Sequence, residues 1–189
     1  MNKNIKNFEL NFDTNIAIVG SPYYKSIYDN LLDGTLSELS SHNINVEILN
    51  VEGALEIPTA ISLVKRDFDG FIALGCIIRG KTSHYDIVAE NSAQALSQLG
   101  LDGICIGNGI LTVDSIEQAI ERSDPKLKNK GKDVAKALIS LLLIKQNYNS
   151  NKKDFNSFLD FGKFKNYKIT KNQREKCFKA ICCSSTFPN

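Results

Sequence analysis

"GFIALGCIIRGKTSHYD", residues 70–86, changes character halfway along. Its first half, Gly70–Ile78, is almost continuously apolar, which predicts a strand that is buried on both faces. A short polar turn follows, and Ser83–Leu99 then has apolar residues at the spacing of a helix. A buried strand that leads through a tight turn into a helix is typical of α/β proteins with a parallel sheet.

The same alternation of strands and helices extends in both directions from this stretch. Pro58 suits the first turn of a helix, and Asp114 with Glu117 three residues later has the pattern of a capping box. The other predicted strands are Asn15–Ser21, Asn45–Val51 and Gly103–Leu111, and the other helices are Lys25–Leu39, Pro58–Arg66, Asp114–Arg122 and Gly131–Lys145. We therefore expect an α/β fold with a four-stranded parallel sheet that helices cover on both faces.

Charge divides the chain into two parts. The 189 residues are 42% hydrophobic and 23% charged, which suits one globular domain with an appendage. Residues 1–144 hold 13 basic and 18 acidic residues, a net charge of −5, whereas residues 145–189 hold 10 and 3, a net charge of +7. We expect one domain over residues 1–146 and a basic C-terminal extension over 147–189 that is partly helical or disordered and is dispensable for catalysis and assembly.

Composition also restricts the location and the partners. No apolar run reaches the 18 or so residues of a membrane span, and the N-terminus lacks the pattern of a targeting peptide. Cys76 and Cys105 lie in apolar strands, and the five cysteines do not form a disulfide framework, which favours a reducing cytoplasm. The extension carries Cys177, Cys182 and Cys183 without a nearby histidine, which is a weak metal motif. We interpret its basic and aromatic residues as a solvated segment, so we expect no metal, nucleic-acid or membrane partner.

Gly75–Thr82, "GCIIRGKT", fits the nucleotide-binding pattern G-x-x-x-x-G-K-[ST]. In a P-loop, the four variable residues wrap phosphate with backbone N–H groups and are usually small or polar. Here Ile77 and Ile78 continue the apolar strand, so a phosphate loop would expose two large apolar side chains. We therefore interpret the match as accidental and expect no ATPase or GTPase activity.

The shorter turn Gly80-Lys81-Thr82 supports two interpretations equally. Free N–H groups at the start of the next helix would form an anion site, or the segment is an ordinary turn with a solvated lysine. His84 lies in the first turn of that helix, where an imidazole could shuttle protons, although a lone histidine is more often a surface residue.

Arg122 and Lys130 could hold a phosphate, although their positions near helix ends favour simple complementation of the helix dipoles. Glu56 could accept hydrogen bonds from a ligand or could only place a charge at a helix N-terminus.

Four segments together resemble the 6,7-dimethyl-8-ribityllumazine synthase family of riboflavin biosynthesis. They are "EGALEIP" (52–58), "GCIIRGKTSHYD" (75–86), "GNGILTVDSIEQAIER" (107–122) and "NKG" (129–131), and the resemblance runs from about Asn15 to Lys145. It implies a flavodoxin-like three-layer sandwich, condensation of 5-amino-6-(D-ribitylamino)uracil with 3,4-dihydroxy-2-butanone 4-phosphate, and no cofactor. It also implies a homopentamer, or a multiple of it, with sites between adjacent subunits.

The resemblance implies a role for each matched residue. His84 is expected to be the catalytic proton shuttle. The residues expected to bind the substrates are Tyr23, Ala54, Glu56, Ile77, Ile78, Gly80, Lys81, Thr82, Asn108, Arg122 and Lys130. Within this set the Gly80–Thr82 turn and Arg122 are expected to hold the phosphate, and Tyr23 to stack on the pyrimidine ring.

Three residues depart from the pattern of the family. Leu55 stands where many members have an aromatic residue, Asn108 replaces an apolar or aromatic residue, and Lys81 replaces a small one. These changes affect the shape of the expected pocket and remove no matched catalytic group. The alternative function is that of a paralogue that binds flavin or lumazine without making it.

Overall fold

The computed structural model describes residue 10 and residues 13–42 and 44–160, with side chains described as far as residue 147. The chain divides into two units, residues 1–148 and 149–189. Both hydrophobic cores and both clefts of the described chain lie in the first unit. The C-terminal extension beyond residue 160, with its cysteines, lies outside the described residues.

The sheet has four strands, all parallel, in the order β2-β1-β3-β4. Their bounds are Thr14–Gly20 (β1), Ile44–Asn50 (β2), Gly70–Ile78 (β3) and Cys105–Val113 (β4). The predicted α/β fold with a four-stranded parallel sheet is confirmed. The order places β1 and β3 in the centre, which explains why their sequences are the most continuously apolar.

Five helices complete the described chain. Their bounds are Lys25–Leu39 (α1), Glu56–Val64 (α2), His84–Leu101 (α3), Ile116–Ser123 (α4) and Lys130–Asp160 (α5). The helices lie on both faces of the sheet and bury two separate cores. This is the three-layer, flavodoxin-like sandwich that the resemblance implies.

The central strand β1 contributes to both cores. Ile16 and Ile18 are fully buried on one face together with residues of α1, α4 and α5. Ala17 and Val19 are fully buried on the other face against α2 and α3. Successive side chains of a strand point to opposite faces, so a run of apolar residues is needed where both faces are covered.

Apolar side chains of the edge strand β2 are more exposed than we predicted for a sheet that helices cover on both faces. Val46 is 36% exposed and Ile48 is 42% exposed. The strand order explains the difference, because β2 has a neighbouring strand on one side only. Apolar side chains at such an edge are available to another surface.

The N-cap of helix α4 lies one residue later than predicted. Ser115, and not Asp114, is the N-cap, and its Oγ accepts a 3.4 Å hydrogen bond from the N–H of Gln118. The Gln118 side chain in turn accepts a hydrogen bond from the N–H of Asp114 at 3.0 Å. Ser115 with Gln118 fits the capping pattern as well as Asp114 with Glu117 does. The sequence alone therefore did not show which of the two pairs caps the helix.

Helices α2 and α5 also differ from their predicted bounds. Helix α2 begins at Glu56, so Pro58 occupies its first turn, where a missing N–H costs no hydrogen bond. Helix α5 continues beyond Lys145 to Asp160 and crosses the predicted domain boundary at residue 146. No glycine or proline interrupts the chain between Lys132 and Asp160, so nothing in the backbone chemistry ends the helix earlier. The domain boundary itself stays a prediction.

No helix among the described residues is long and apolar enough to cross a membrane.

Candidate active site

A cleft of about 450 Å³ lies beyond the carboxyl ends of β1, β2 and β3. Ligands of open parallel sheets bind in this position, because the loops that follow neighbouring strands meet there. The lining residues are Ser21, Tyr23, Tyr24, Gly53, Ala54, Leu55, Glu56, Cys76, Ile77, Ile78, Gly80, Thr82, His84, Tyr85 and Val88. Three loops and the start of α3 therefore form one site.

Eight of the twelve predicted site residues line this cleft. They are Tyr23, Ala54, Glu56, Ile77, Ile78, Gly80, Thr82 and His84. In the sequence they are spread over three separate segments, and the parallel sheet brings the segments to one edge.

The loop after β1 is tied to the middle of β3 and to the loop after β2. The N–H of Ser21 donates to the carbonyl oxygen of Leu74 at 2.9 Å, and its hydroxyl donates to the carbonyl oxygen of Glu52 at 3.0 Å. Tyr23 follows and is 76% exposed, with its ring edge-to-face on Tyr24 at a centroid distance of 5.1 Å. An exposed ring that packs against a second ring is suited to stack on a planar ligand.

The floor of the cleft is apolar, and one carboxylate lies at its rim. Ala54 and Ile77 are each 8% exposed, whereas Leu55 is 38% exposed. Glu56 is the first residue of α2, and its side chain is exposed. A carboxylate there is stabilised by the helix dipole and remains available to accept hydrogen bonds from a ligand.

Strand β3 ends at Ile78, so Ile77 and Ile78 belong to the strand and not to a phosphate loop. This agrees with the interpretation of the P-loop match as accidental. The turn Gly80–Ser83 leads directly into α3, where His84 is the first helical residue. Both the turn and the imidazole are exposed to solvent, as an anion site with an adjacent proton shuttle requires.

Cys76 is a half-buried thiol in the wall of the cleft. Burial raises its pKa from 9.0 to about 11. At neutral pH it is therefore a protonated, weakly reactive side chain. It contributes shape to the cleft and no nucleophile.

Four predicted residues do not line the cleft. Lys81 is exposed on the turn, and Arg122 lies in the last turn of α4, 3.9 Å from the carboxylate of Glu121. Lys130 begins α5, with its ammonium group 2.8 Å from Asp133. Asn108 lies in the middle of β4, where its side-chain oxygen accepts a 3.0 Å hydrogen bond from the N–H of Ile110. Within one chain, Arg122 and Lys130 therefore lie apart from the cleft that holds His84.

Asn108 instead lines a second cleft of about 430 Å³ beside β4. This second cleft is formed by α3, β4 and α5, and its other lining residues include Leu96, Leu141, Ile144 and Lys145. Ile144 is 66% exposed and Leu141 is 39% exposed. The second cleft is thus an apolar surface that is open in the single chain.

Seven residues of the His84 cleft were not among the predicted site residues. They are Ser21, Tyr24, Gly53, Leu55, Cys76, Tyr85 and Val88. Four of them lie in the loops after β1 and β2, and Tyr85 follows His84 in the first turn of α3, so extending the prediction to whole segments at the carboxyl ends of the strands would have found these five. Cys76 lies inside β3 and Val88 inside α3, where the sequence pattern indicates only core.

Among the described residues, no group of three or more His, Cys, Asp or Glu side chains could hold a metal ion.

Comparison with known proteins places this arrangement in a family. A sequence model described as 6,7-dimethyl-8-ribityllumazine synthase matches residues 13–146. The chain is similar to the 6,7-dimethyl-8-ribityllumazine synthase of Jannaschia sp. (strain CCS1), with 46% identity over 139 residues, which covers 72% of this chain and 78% of that protein. It is 45% identical over 133 residues to the enzyme of the same name from Erythrobacter litoralis, covering 69% of this chain and 95% of that protein.

A third relative covers slightly more of the chain. The 6,7-dimethyl-8-ribityllumazine synthase of Bartonella bacilliformis is 40% identical over 149 residues, which is 76% of this chain and 98% of that protein. The family match ends near the predicted domain boundary and leaves the basic extension outside it. The chain therefore belongs to the 6,7-dimethyl-8-ribityllumazine synthase family and is an enzyme of the transferase class.

Proposed function

We propose that this chain condenses 5-amino-6-(D-ribitylamino)uracil with 3,4-dihydroxy-2-butanone 4-phosphate. The products would be 6,7-dimethyl-8-ribityllumazine, phosphate and water, a step of riboflavin biosynthesis. The observation that carries the proposal is the cleft in which an exposed aromatic ring, a carboxylate, a helix-start turn and His84 meet. The family resemblance of the sequence supplies the two substrates, and the names of the relatives agree with the lumazine product.

The proposed roles follow from the chemistry of each group. The ring of Tyr23 would stack on the pyrimidine, and Glu56 would accept hydrogen bonds from the ribityl hydroxyls. The backbone N–H groups of the Gly80–Ser83 turn would hold the phosphate at the positive end of α3. His84 would move protons during imine formation and loss of phosphate, which a positioned imidazole accelerates by about 10²–10⁴.

A second copy of the chain would complete the site. Arg122, Lys130 and Asn108 are not at the His84 cleft of their own chain, yet phosphate loss needs a cation that meets the developing charge. A neighbouring subunit in a homopentamer, or a multiple of it, would bring these residues to the cleft. The exposed apolar side chains of Ile144, at 66%, and Leu101, at 83%, support such an association.

We also propose that the enzyme works in the cytoplasm. Cys76 and Cys105 are free thiols in the described chain, and such thiols are maintained in a reducing compartment.

The experiment that tests the function supplies both substrates to the purified full-length protein and follows the lumazine by its absorbance and fluorescence. We expect formation well above the uncatalysed condensation. Tight binding of lumazine or flavin by a folded protein that makes none would instead establish the binding paralogue.

A further inference from the structure

Arg79, the residue after β3, joins three segments around the proposed phosphate turn. Its N–H donates to the carbonyl oxygen of Val113 at 2.9 Å, which continues the pairing of β3 with β4. Its Nε donates to Asp114 Oδ1 at 3.0 Å, and its Nη1 donates to Asp86 Oδ1 at 3.0 Å. The guanidinium carbon also lies 4.0 Å from the centroid of the Tyr85 ring, a cation–π contact.

The turn that follows Arg79 has little else to fix its conformation. A Cβ at Gly80 would have no heavy atom within 4 Å, so nothing packs against that residue. Lys81, Thr82 and Ser83 are exposed, and Ser83 makes no side-chain cap on α3. Among the described residues, the side chains of 81–84 make no hydrogen bond. The conformation of the turn is therefore set at its two ends, and Arg79 is one of them.

The carboxylates beside Arg79 make it a poor phosphate ligand. The hydrogen bonds to Asp114 and then to Asp86 raise the pKa of the guanidinium above its ordinary value. A phosphate at Arg79 would lie next to these two negative charges, which repel it. The guanidinium of Arg79 therefore binds Asp86, Asp114 and the Tyr85 ring rather than a ligand.

We propose that Arg79 is a positioning residue that acts through Asp86, Asp114 and Tyr85 to hold the N–H groups of Gly80–Ser83 in the arrangement that binds the substrate phosphate. Asp86 and Tyr85 are in the first turn of α3, beside His84, so the same contacts fix the start of the helix that carries the imidazole. Asp114 directly precedes the N-cap of α4. This inference rests on the proposed function, because it assigns the turn to the phosphate.

Affinity for phosphate, rather than stability, should report the role of Arg79. Exposed ion pairs contribute little to the stability of a fold, and all three side chains here are exposed, at 45% for Arg79, 58% for Asp86 and 68% for Asp114. The affinity of the turn for phosphate is more sensitive, because several N–H donors must point at one anion and a hydrogen bond weakens steeply when its angle or distance departs from the optimum. A positioning role therefore predicts weaker phosphate binding in a protein of unchanged stability.

The experiment compares Arg79→Gln with the wild type in the full chain. We expect the KM for the butanone phosphate, and the Ki of inorganic phosphate as its competitor, to rise about 10-fold each. The KM for the pyrimidine and the melting temperature should stay unchanged. Asp86→Asn is a milder change, because the hydrogen bond from Arg79 to Asp114 stays. It should raise the KM for the butanone phosphate and the Ki of inorganic phosphate by a smaller factor.

Lys25→Gln is the matched control. It removes another exposed ion pair, from Lys25 to Asp29 at 2.7 Å on α1, and should alter none of these constants. Unchanged phosphate constants in Arg79→Gln, or equal rises in both KM values with a lowered melting temperature, would overturn the inference. A wild type that makes no lumazine would overturn the proposed function instead. In that case, ³¹P NMR titration of the wild type and of Arg79→Gln with inorganic phosphate tests the role of Arg79. Equal phosphate affinities of the two proteins would refute that role.

Discussion

The hydroxyl of Thr35 on α1 donates a 3.1 Å hydrogen bond to the carbonyl oxygen of Gly131 at the start of α5. Thr35 is fully buried, and a Cβ at Gly131 would collide with the backbone carbonyl oxygen of Leu31. Asn129, with a positive φ of 43°, precedes this contact, and its side chain accepts a 3.1 Å hydrogen bond from the N–H of Lys132. Close packing against α1 therefore fixes the beginning of the helix that presents Lys130.

Replacement of Gly131 by alanine should destabilise the fold. Overpacking against rigid backbone typically costs about 1–3 kcal/mol, so we expect the free energy of unfolding in urea to fall by about that amount. Gly100→Ala is the matched control, because Gly100 lies in α3 and a Cβ there meets nothing within 4 Å. That variant should be as stable as the wild type or more stable by up to about 1 kcal/mol. Equal stability of Gly131→Ala and the wild type would contradict the close approach.

Replacement of His84 by glutamine should lower kcat by about 10²–10⁴ while leaving both KM values within a few-fold of the wild type. The imidazole is exposed and has no hydrogen bond among the described residues, so its loss should not change the melting temperature. His42→Gln, which alters the other histidine in the loop before β2, should have wild-type kinetics. Unchanged turnover in His84→Gln would remove the residue from the chemistry.

Two inactive variants should restore activity to each other if the site is shared between subunits. His84→Gln lacks the proton shuttle of the cleft, and Arg122→Gln lacks the cation that a neighbour would contribute. In a randomly mixed ring, about a quarter of the clefts would have both groups intact, so we expect about a quarter of the wild-type activity after co-refolding in equal amounts.

The separate variants, taken through the same refolding, give the baseline for this experiment. A mixture no more active than their average would show that each chain carries a complete site.

Stability should fall in alkaline solution partly through Cys76. Its pKa is about 11 in the folded chain and 9.0 as the ordinary value. Below pH 9 the thiol is protonated in both states, and between pH 9 and pH 11 only the unfolded state loses the proton. The free energy of unfolding should therefore fall by about 1 kcal/mol between pH 8 and pH 10, less than full burial would give, because the cleft is open to water.

Urea unfolding of Cys76→Ser across the same pH range isolates this contribution. The serine hydroxyl does not titrate there, so the variant should show a smaller loss than the wild type. Identical pH dependence of the two proteins would contradict the raised pKa.

Apolar periodicity was sufficient to predict an α/β fold with a parallel sheet, whereas the flavodoxin-like architecture was implied by the resemblance to the family. Strands such as Gly70–Ile78 are buried on both faces, and their continuous apolar sequence has no other simple explanation. Boundaries were less predictable because neighbouring residues offered equivalent chemistry. Ser115 with Gln118 caps α4 as well as Asp114 with Glu117 would, and only the turn that follows β4 decides between them. The length of α5 escaped prediction because its apolar pattern fades after Lys145 and the residues that follow are rich in asparagine, a weak helix former, although no glycine or proline ends the helix.

The grouping of residues at the candidate site was predictable where it depends on topology alone. Tyr23, Glu56 and His84 follow different strands, and the rule on carboxyl ends places all three at one cleft. The positions of Arg122 and Lys130 were not predictable in this way, since a resemblance transfers a role without saying which chain supplies the residue. The contacts of Arg79 with Asp86 and Asp114 depend on rotamers and on the spacing of three loops, which leave no periodic signal in the sequence.

The strand order has a consequence for how the chain is made on the ribosome. Strand β1 is synthesised first, but its two partners, β2 and β3, begin only at Ile44 and Gly70. Both of its faces are apolar, so it stays uncovered until the chain has been made through Ile78 and the covering helices have formed. During that interval the nascent chain exposes a hydrophobic strand that lacks one of its two partners and part of its cover, which makes it a candidate client for chaperones that act during translation.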